Sequence, residues 1–208
     1  DDIVQLFDAC LILHAEHTIN ASTFSAMVTA STLANPFASI SAAVGTLAGS
    51  LHGGANEDVL KMLDEIGDAK NVRGYIENRL KNKQVIMGMG HREYRVKDPR
   101  ATILQEMIEA YIKKSGITLS KRFKTALEVE RVCEELLSSK GVYPNVDFYS
   151  GILYSEIFKI PKEHFTPIFA MARSAGWAAH WHEQVGHNRI FRPTQIYVGH
   201  DFRDYPSK

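Results

Sequence analysis

Apolar residues recur along most of this chain at the spacing of an α-helix. An apolar stripe begins with Ile3, Leu6 and Cys10, and similar stripes follow to near residue 181. Residues three or four apart share one face of a helix, so this pattern predicts helices that each bury one side. No convincing run of alternating apolar residues occurs before the last twenty positions, so strands are not expected there. The sequence therefore predicts an all-α fold.

Charge and hydropathy weigh against several classes of function. The 208 residues include 24 Lys and Arg against 24 Asp and Glu. A chain with balanced charge offers no general attraction for nucleic acid or for an anionic membrane surface. Its longest apolar runs, such as 42–51, are far shorter than the roughly 20 residues that a bilayer span needs. We therefore expect neither nucleic acid nor a membrane as a partner.

The two cysteines, Cys10 and Cys133, lie inside apolar helical patterns and share no spacing with a metal or redox motif. We expect buried thiols, which fit a reducing compartment: the cytoplasm, or an organelle matrix if the source is eukaryotic. The chain opens on Asp1 and Asp2, without an initiator Met or a signal-peptide pattern. We therefore expect it to be a piece of a longer chain.

Composition divides the chain into three stretches. Small apolar residues dominate the first, amphipathic charged helices follow, and large apolar and small residues return at the end. This predicts a large helical domain made of residues 1–55 and 161–208, with a small helical domain of residues 56–160 inserted between them. Residues 37–47 are small and apolar on nearly every side, which predicts a helix buried among other helices.

Four polar segments interrupt apolar surroundings and are candidates for chemistry. They are His-Ala-Glu-His at 14–17, Leu-His-Gly-Gly at 51–54, Gly-Met-Gly-His at 88–91 and Pro-Asn-Val-Asp at 144–147. The glycines allow backbone N–H groups to approach a ligand closely beside a histidine. Taken singly, each segment also has a structural explanation. A lone histidine is more often a core or cap residue, and Asp147 could simply open a helix.

Other ligand motifs are weaker. The glycines of 88–90 lack the third glycine and the preceding strand of a dinucleotide fingerprint. The histidines of 14–17 or of 180–187 could share a helix face, but neither group has the two-His-plus-Glu spacing of a zinc hydrolase. We therefore predict no metal site. The arginines of 92–100 and 189–192 have two explanations. They form a solvated surface, or their guanidinium groups bind the carboxylates of an anionic substrate.

Taken together and in order, these segments resemble the citrate synthase family. The resemblance extends from near Asp1 to about Gly199, and its motifs lie at residues 13–23, 49–56, 87–92, 98–100, 144–151 and 188–193. It implies an all-α fold of two helical domains, the small one inserted in the large one. The N-terminal part of the large domain would be absent from this chain. It also implies a homodimer or a higher homo-oligomer.

The resemblance implies a reaction as well. Such enzymes join the methyl carbon of acetyl-CoA to the keto carbon of oxaloacetate, then hydrolyse the citryl thioester to citrate and CoA. Asp147 matches the base that removes a methyl proton, His52 the donor to the thioester oxygen, and His91 the residue that polarises the oxaloacetate carbonyl. Because the glycines after His52 suggest a helix start, whose positive dipole end disfavours imidazolium, we expect a neutral His52.

The resemblance also implies binding residues. His17, Arg100, Arg173 and Arg192 match residues that bind oxaloacetate in the family, and Arg192 would reach the active site of the partner subunit. The residues that match the family's CoA-binding residues are Met87, Gly88, Met89, Gly90, Lys140 and Asn145. No cofactor would be bound permanently, because acetyl-CoA is a cosubstrate. Closure of the two domains on oxaloacetate would assemble the site.

The sequence leaves alternatives open. A 2-methylcitrate synthase would use propionyl-CoA with the same residues, and one extra methylene is worth only about 1–3 kcal/mol of discrimination. The chain could also be an inactive fragment of such an enzyme. A non-catalytic helical interaction module would use the histidines and Asp147 only as caps and core hydrogen bonders.

Overall fold

The structure is a computed structural model that describes residues 2–90 and 96–206. Within these ranges the chain forms nine α-helices and no strand. The helices are α1 (Asp2–Ala15), α2 (Ala21–Ala30), α3 (Pro36–Leu47), α4 (Ala55–Ile66), α5 (Val72–Lys81), α6 (Pro99–Ser115), α7 (Lys121–Leu137), α8 (Val146–Ile152) and α9 (Phe165–Gly186). The predicted all-α fold is confirmed.

Polar side chains determine where several helices begin. The side chain of Asn20 accepts from the N–H of Thr23 at the start of α2, and Asn35 does the same for α3. The side chain of Asp98 accepts from the N–H of Arg100, and Pro99, between them, is the first residue of α6. Such side chains satisfy backbone donors that the first helical turn leaves unpaired. The turns that carry the site are therefore fixed locally by the sequence.

Two hydrophobic clusters organise the packing. The larger combines α4 to α8 with Leu6 and Cys10 of α1. The smaller lies between α2, α3 and α9, where Ala26, Leu47 and Trp177 are fully buried. Helix α1 also packs along α9, so it links the two clusters. The division into a large domain and an inserted small domain stays a prediction.

Helix α3 is less buried than the sequence predicts. Its buried residues are Ser39, Ala43 and Leu47, whereas Phe37 is 80% exposed and Val44 is 43% exposed. The prediction of a helix buried on all sides is wrong within this chain. The reason is that α3 packs against α2 and α9 on one side only.

The predicted burial of the thiols is confirmed. Cys10 and Cys133 are free and buried, and burial raises the pKa of each thiol to about 12. A thiol with so high a pKa is a poor nucleophile near neutral pH.

In the described part of the chain, no helix combines the length and apolar character that a bilayer span needs.

Candidate active site

Five of the predicted site residues line one small cavity. The cavity has a volume of about 150 Å³ and lies between the ends of α1, α4, α6 and α8 and the side of α9. The predicted residues along it are His17, His52, Arg100, Asp147 and Arg173. It is completed by Asn20, Gly53, Val146 and Phe169. Residues that are distant in sequence therefore converge on one space, which separate structural roles would not require.

His52 is held by the start of another helix. Its Nε2 atom accepts from the backbone N–H of Ser22 at 3.2 Å and lies 2.9 Å from the Ser22 hydroxyl oxygen. A backbone amide can only donate, so Nε2 carries no hydrogen and the neutral ring is protonated at Nδ1. Burial lowers the pKa of His52, and the nearby charge of Arg173 lowers it further. The structure thus favours the neutral imidazole and shows burial as its main cause.

The Ser22 side chain is itself fixed on both sides. Its hydroxyl donates to the Asn20 carboxamide oxygen at 2.8 Å, and Trp177 donates its indole N–H to the same hydroxyl at 3.3 Å. Trp177 is fully buried in α9. The orientation of the His52 ring therefore depends on the start of α2 and on the packing of α9.

Asp147 lies in the first turn of α8 without capping it. The cap is Asn145, whose side-chain oxygen accepts from the N–H groups of Asp147 (3.0 Å) and Phe148 (3.3 Å). The alternative in which Asp147 merely opens the helix is therefore wrong, because Asn145 does so. Burial raises the pKa of the Asp147 carboxyl, and the charges of Arg100 and Arg173 oppose this shift. A raised pKa makes a carboxylate a stronger base.

Two arginines bring positive charge to the cavity. Arg173 is 3% exposed and donates from Nε to the His14 carbonyl at 2.6 Å. Burial, followed by the charge of Arg100, lowers the pKa of Arg173 to about 10. Arg100 is oriented by Asp98, to which it donates from Nε (3.1 Å) and Nη2 (2.7 Å). Two anchored guanidinium groups around one space suit a ligand with two carboxylates.

Two residues that line the cavity, Asn20 and Phe169, were not among the predicted site residues. Asn20 has a buried side-chain nitrogen with no hydrogen-bond partner among residues 2–90 and 96–206, while its oxygen is used by Ser22 and Thr23. Phe169 forms one wall, with the Arg173 guanidinium 4.7 Å from its ring centroid. Asn20 could have been found from its position three residues after His17, before a helical pattern. Nothing in the sequence pattern distinguishes Phe169 from an ordinary core residue.

The segment proposed to contact CoA is attached to the start of α8. Gly88 and Gly90 have positive φ angles of 76° and 84°. The backbone N–H of Asn145 donates to the Gly88 carbonyl at 2.9 Å, and its side-chain nitrogen donates to the Gly90 carbonyl at 3.0 Å. Residues 87–90 are therefore fastened to the turn that presents Asp147. Their role, with Met87, Met89 and Asn145 as CoA contacts, stays a prediction.

Among the described residues, Arg192 and Lys140 do not line this cavity. His91 lies outside the described residues. Arg192 is exposed and lies in a separate cleft with Phe24 and the neighbouring residues 189–193. Lys140 is exposed in a short turn after α7.

In its described ranges the chain has no group of three His, Cys, Asp or Glu side chains placed to share a metal ion. His180 instead bonds to Glu16 at 3.0 Å.

The fold and the cavity define the class of protein: an all-α protein in which a histidine, a carboxylate and two arginines from separate helices surround one cavity. The chain belongs to the citrate synthase family: residues 1–194 match the family model for the citrate synthase C-terminal domain.

Curated relatives and solved structures agree with this assignment. The chain is 60% identical to a citrate synthase of Synechocystis over 195 residues, which are 94% of this chain and 48% of that protein. It is 55% identical to one of Acidithiobacillus ferridurans over 201 residues, 97% of this chain and 52% of that protein. These names favour citrate synthase over 2-methylcitrate synthase. The chain spans about half the length of these curated relatives.

The fold resembles solved citrate synthases. The crystal structure of the Thermotoga maritima enzyme has a TM-score of 0.88 and 40% identity, with 100% of this chain and 56% of that chain covered. A ternary complex of the Thermoplasma acidophilum citrate synthase with carboxymethyl coenzyme A and oxaloacetate has a TM-score of 0.88 and 36% identity, covering 100% and 55%.

Proposed function

We propose that the protein containing this chain condenses acetyl-CoA with oxaloacetate and hydrolyses the product thioester to citrate and CoA. The observation that carries the proposal is the convergence of Asp147, His52, Arg100 and Arg173 on one cavity. A cytoplasmic location and a step in the tricarboxylic acid cycle belong to the same proposal.

Oxaloacetate binding would use the positive charge of the cavity. The carboxylates of oxaloacetate would pair with the guanidinium groups of Arg100 and Arg173, which both line the cavity. His17 and the unpartnered Asn20 nitrogen would add polar contacts. The solved complex of a relative with oxaloacetate and a CoA analogue supports this choice of ligands.

Carbon–carbon bond formation would begin at the acetyl methyl group. The Asp147 carboxylate would take a methyl proton while His52 donates from Nδ1 to the thioester oxygen, which stabilises the enol as it forms. Nδ1 is the only ring nitrogen that can donate, because Nε2 is occupied by the Ser22 N–H. The enol carbon would then attack the keto carbon of oxaloacetate, and the new alkoxide would take a proton, a role for which His91 remains the candidate.

Hydrolysis would complete the reaction. A water molecule would add to the citryl thioester, the carbon–sulfur bond would break, and CoA would leave as a thiol. The segment 87–90 would hold the CoA moiety beside Asp147, with Lys140 near a phosphate. We also propose a homodimer or higher homo-oligomer in which Arg192 reaches the partner site, which is supported by its exposure outside the cavity of its own chain.

The test is oxaloacetate-dependent release of CoA thiol from acetyl-CoA, with oxaloacetate binding measured in parallel by calorimetry. Wild-type protein should release thiol, and Asp147→Asn should lose at least about 100-fold in rate because the base is gone. Asp58→Asn, which removes a carboxylate paired with Lys61 on the surface of α4, is the matched control and should keep the rate.

Several outcomes separate the alternatives. A folded protein that neither binds oxaloacetate nor releases thiol would overturn the proposal and favour the non-catalytic module. Binding without release would favour an inactive fragment. Faster turnover of propionyl-CoA than of acetyl-CoA would instead support a 2-methylcitrate synthase.

A further inference from the structure

His14 is fully buried next to the cavity, and only one of its two ring nitrogens has a hydrogen-bond partner among the described residues. Its Nδ1 atom lies 2.7 Å from the carbonyl oxygen of Cys10, four residues earlier in α1. A carbonyl only accepts, so Nδ1 carries the hydrogen and Nε2 of the neutral ring is an acceptor. Among the described residues, that buried Nε2 atom has no hydrogen-bond partner. A buried polar atom left unpaired is costly, so a partner is expected.

Tyr154 presents the complementary group. It lies in the single π-helical turn, Leu153–Ile157, that follows α8, and it is fully buried. Its hydroxyl also lacks a partner within the described ranges. The Tyr154 and His14 ring centroids are 6.5 Å apart, so the two rings that carry these atoms, both without a partner among the described residues, are neighbours in the core. Buried waters typically join such groups.

His14 contacts two walls of the cavity. Its carbonyl oxygen accepts from Arg173 Nε at 2.6 Å. Its ring packs edge-on against Phe169, with centroids 5.1 Å apart. Arg173 in turn lies over the same Phe169 ring. Rotation of the His14 ring would therefore displace Phe169 directly and Arg173 only through the Phe169 ring, because the bond from Arg173 goes to the backbone carbonyl of His14.

We propose that His14 is a positioning residue: one water bridges its Nε2 atom to the Tyr154 hydroxyl, and the ring so fixed holds Phe169, and through the Phe169 ring the guanidinium of Arg173, at the cavity. The bridge uses the hydroxyl as donor to the water and the imidazole as acceptor from it. Burial raises the pKa of the Tyr154 hydroxyl, and Cys10 and Asp147 add to the shift, so this hydroxyl stays protonated and able to donate. The consequence for oxaloacetate rests on the proposed function.

The bridge itself is tested by nuclear magnetic resonance, independently of any activity. In protein labelled with ¹⁵N-histidine, Tyr154→Phe should shift the His14 Nε2 resonance toward that of a free acceptor. The matched control is Tyr111→Phe, a hydroxyl loss at a half-buried tyrosine of α6. An unchanged His14 Nε2 resonance in folded Tyr154→Phe would overturn the proposal.

The positioning role is tested by oxaloacetate kinetics. His14→Asn keeps a donor for the Cys10 carbonyl but removes the Nε2 acceptor. We expect His14→Asn and Tyr154→Phe each to raise the oxaloacetate KM about fivefold, with kcat much less affected. Because both variants break the same link, the double variant should be no worse than either single one.

Additive effects of the two substitutions, or a KM unchanged in both, would contradict the role. Tyr111→Phe should leave KM unchanged. If the wild-type protein binds no oxaloacetate, the proposed function fails, whereas the resonance experiment still decides whether the bridge exists.

Discussion

The backbone N–H of Ser22 donates to Nε2 of His52 across 30 residues of sequence, at 3.2 Å. This bond leaves Nδ1 as the only ring nitrogen able to donate to a ligand. The start of α2 therefore sets the chemistry of a histidine that lies just before α4.

Replacement of His52 by Gln should lower kcat of thiol release about 100- to 1,000-fold, because a preorganised donor to the developing oxyanion is lost. The oxaloacetate KM should change much less, since the arginines remain. Steady-state kinetics with both substrates measures this split. His164→Gln, at an exposed histidine before α9, is the control and should behave as wild type. A loss smaller than about tenfold would remove His52 from the proposed step.

The pH dependence should report Asp147. Burial raises the pKa of this carboxyl above its ordinary value of 3.8, and a base acts only when deprotonated. As pH falls, kcat/KM should therefore decline through an apparent pKa above 3.8, earlier than for an exposed aspartate. Enzyme held at each pH and returned to neutral pH before assay controls for unfolding. An acid limb at or below 3.8 would contradict the assignment.

Arg173→Lys should raise the Kd for oxaloacetate about tenfold or more. Lysine retains the charge but lacks the planar fork that bonds the His14 carbonyl at Nε while offering further N–H groups to a carboxylate. Calorimetric titration with oxaloacetate measures the change. Arg131→Lys, at a surface arginine paired with Glu128, serves as the control. Equal affinity in Arg173→Lys and wild type would show that Arg173 does not bind the substrate.

Local features of the fold were readable from the sequence. The Asp98-Pro99 start of α6 and the glycine that follows Ile66 at the end of α4 depend only on a few neighbouring residues. Of the five predicted residues at the cavity, His17, His52 and Asp147 lie in polar segments that interrupt apolar surroundings, whereas Arg173 was predicted only through the resemblance to the citrate synthase family. Exposure of α3 was not predictable, since periodicity shows which side is apolar but not what packs against it.

Long-range contacts explain the remaining differences. The lowered pKa of His52 arises mainly from burial and from Arg173, a residue of α9 that sequence spacing cannot place beside it. The buried, half-satisfied His14 and its neighbour Tyr154 likewise come together only in the folded chain. A histidine in a helix pattern carries no mark of such surroundings.

Gly88→Ala should lower the free energy of unfolding by about 2–4 kcal/mol. Gly88 has φ of 76°, and an added Cβ would lie 2.8 Å from a Val59 methyl and 2.9 Å from Phe148 Cβ. Chemical denaturation measures the loss. Gly74→Ala in α5 is the matched control, because nothing lies within 4 Å of its Cβ position. That change should stabilise by up to about 1 kcal/mol, and equal effects at both glycines would contradict the packing.

His14 should make stability depend on pH in a defined window. Burial lowers its pKa from 6.5 to about 4 in the folded chain, and the charges of Arg100 and Arg173 add to this effect against the opposing Cys10 hydrogen bond. Between these values the unfolded chain binds a proton that the folded chain does not. The free energy of unfolding should therefore fall as pH falls from 6.5 toward 4, by about 3 kcal/mol in total from this residue.

Urea denaturation of wild type and His14→Asn across that range isolates the contribution, because the carboxylates titrate in both proteins. The wild-type curve should be steeper, and the variant should lose less stability on acidification. Parallel curves would mean that His14 is protonated as readily in the folded chain as in the unfolded one. That result would contradict the neutral buried imidazole whose Nε2 atom accepts from the proposed water.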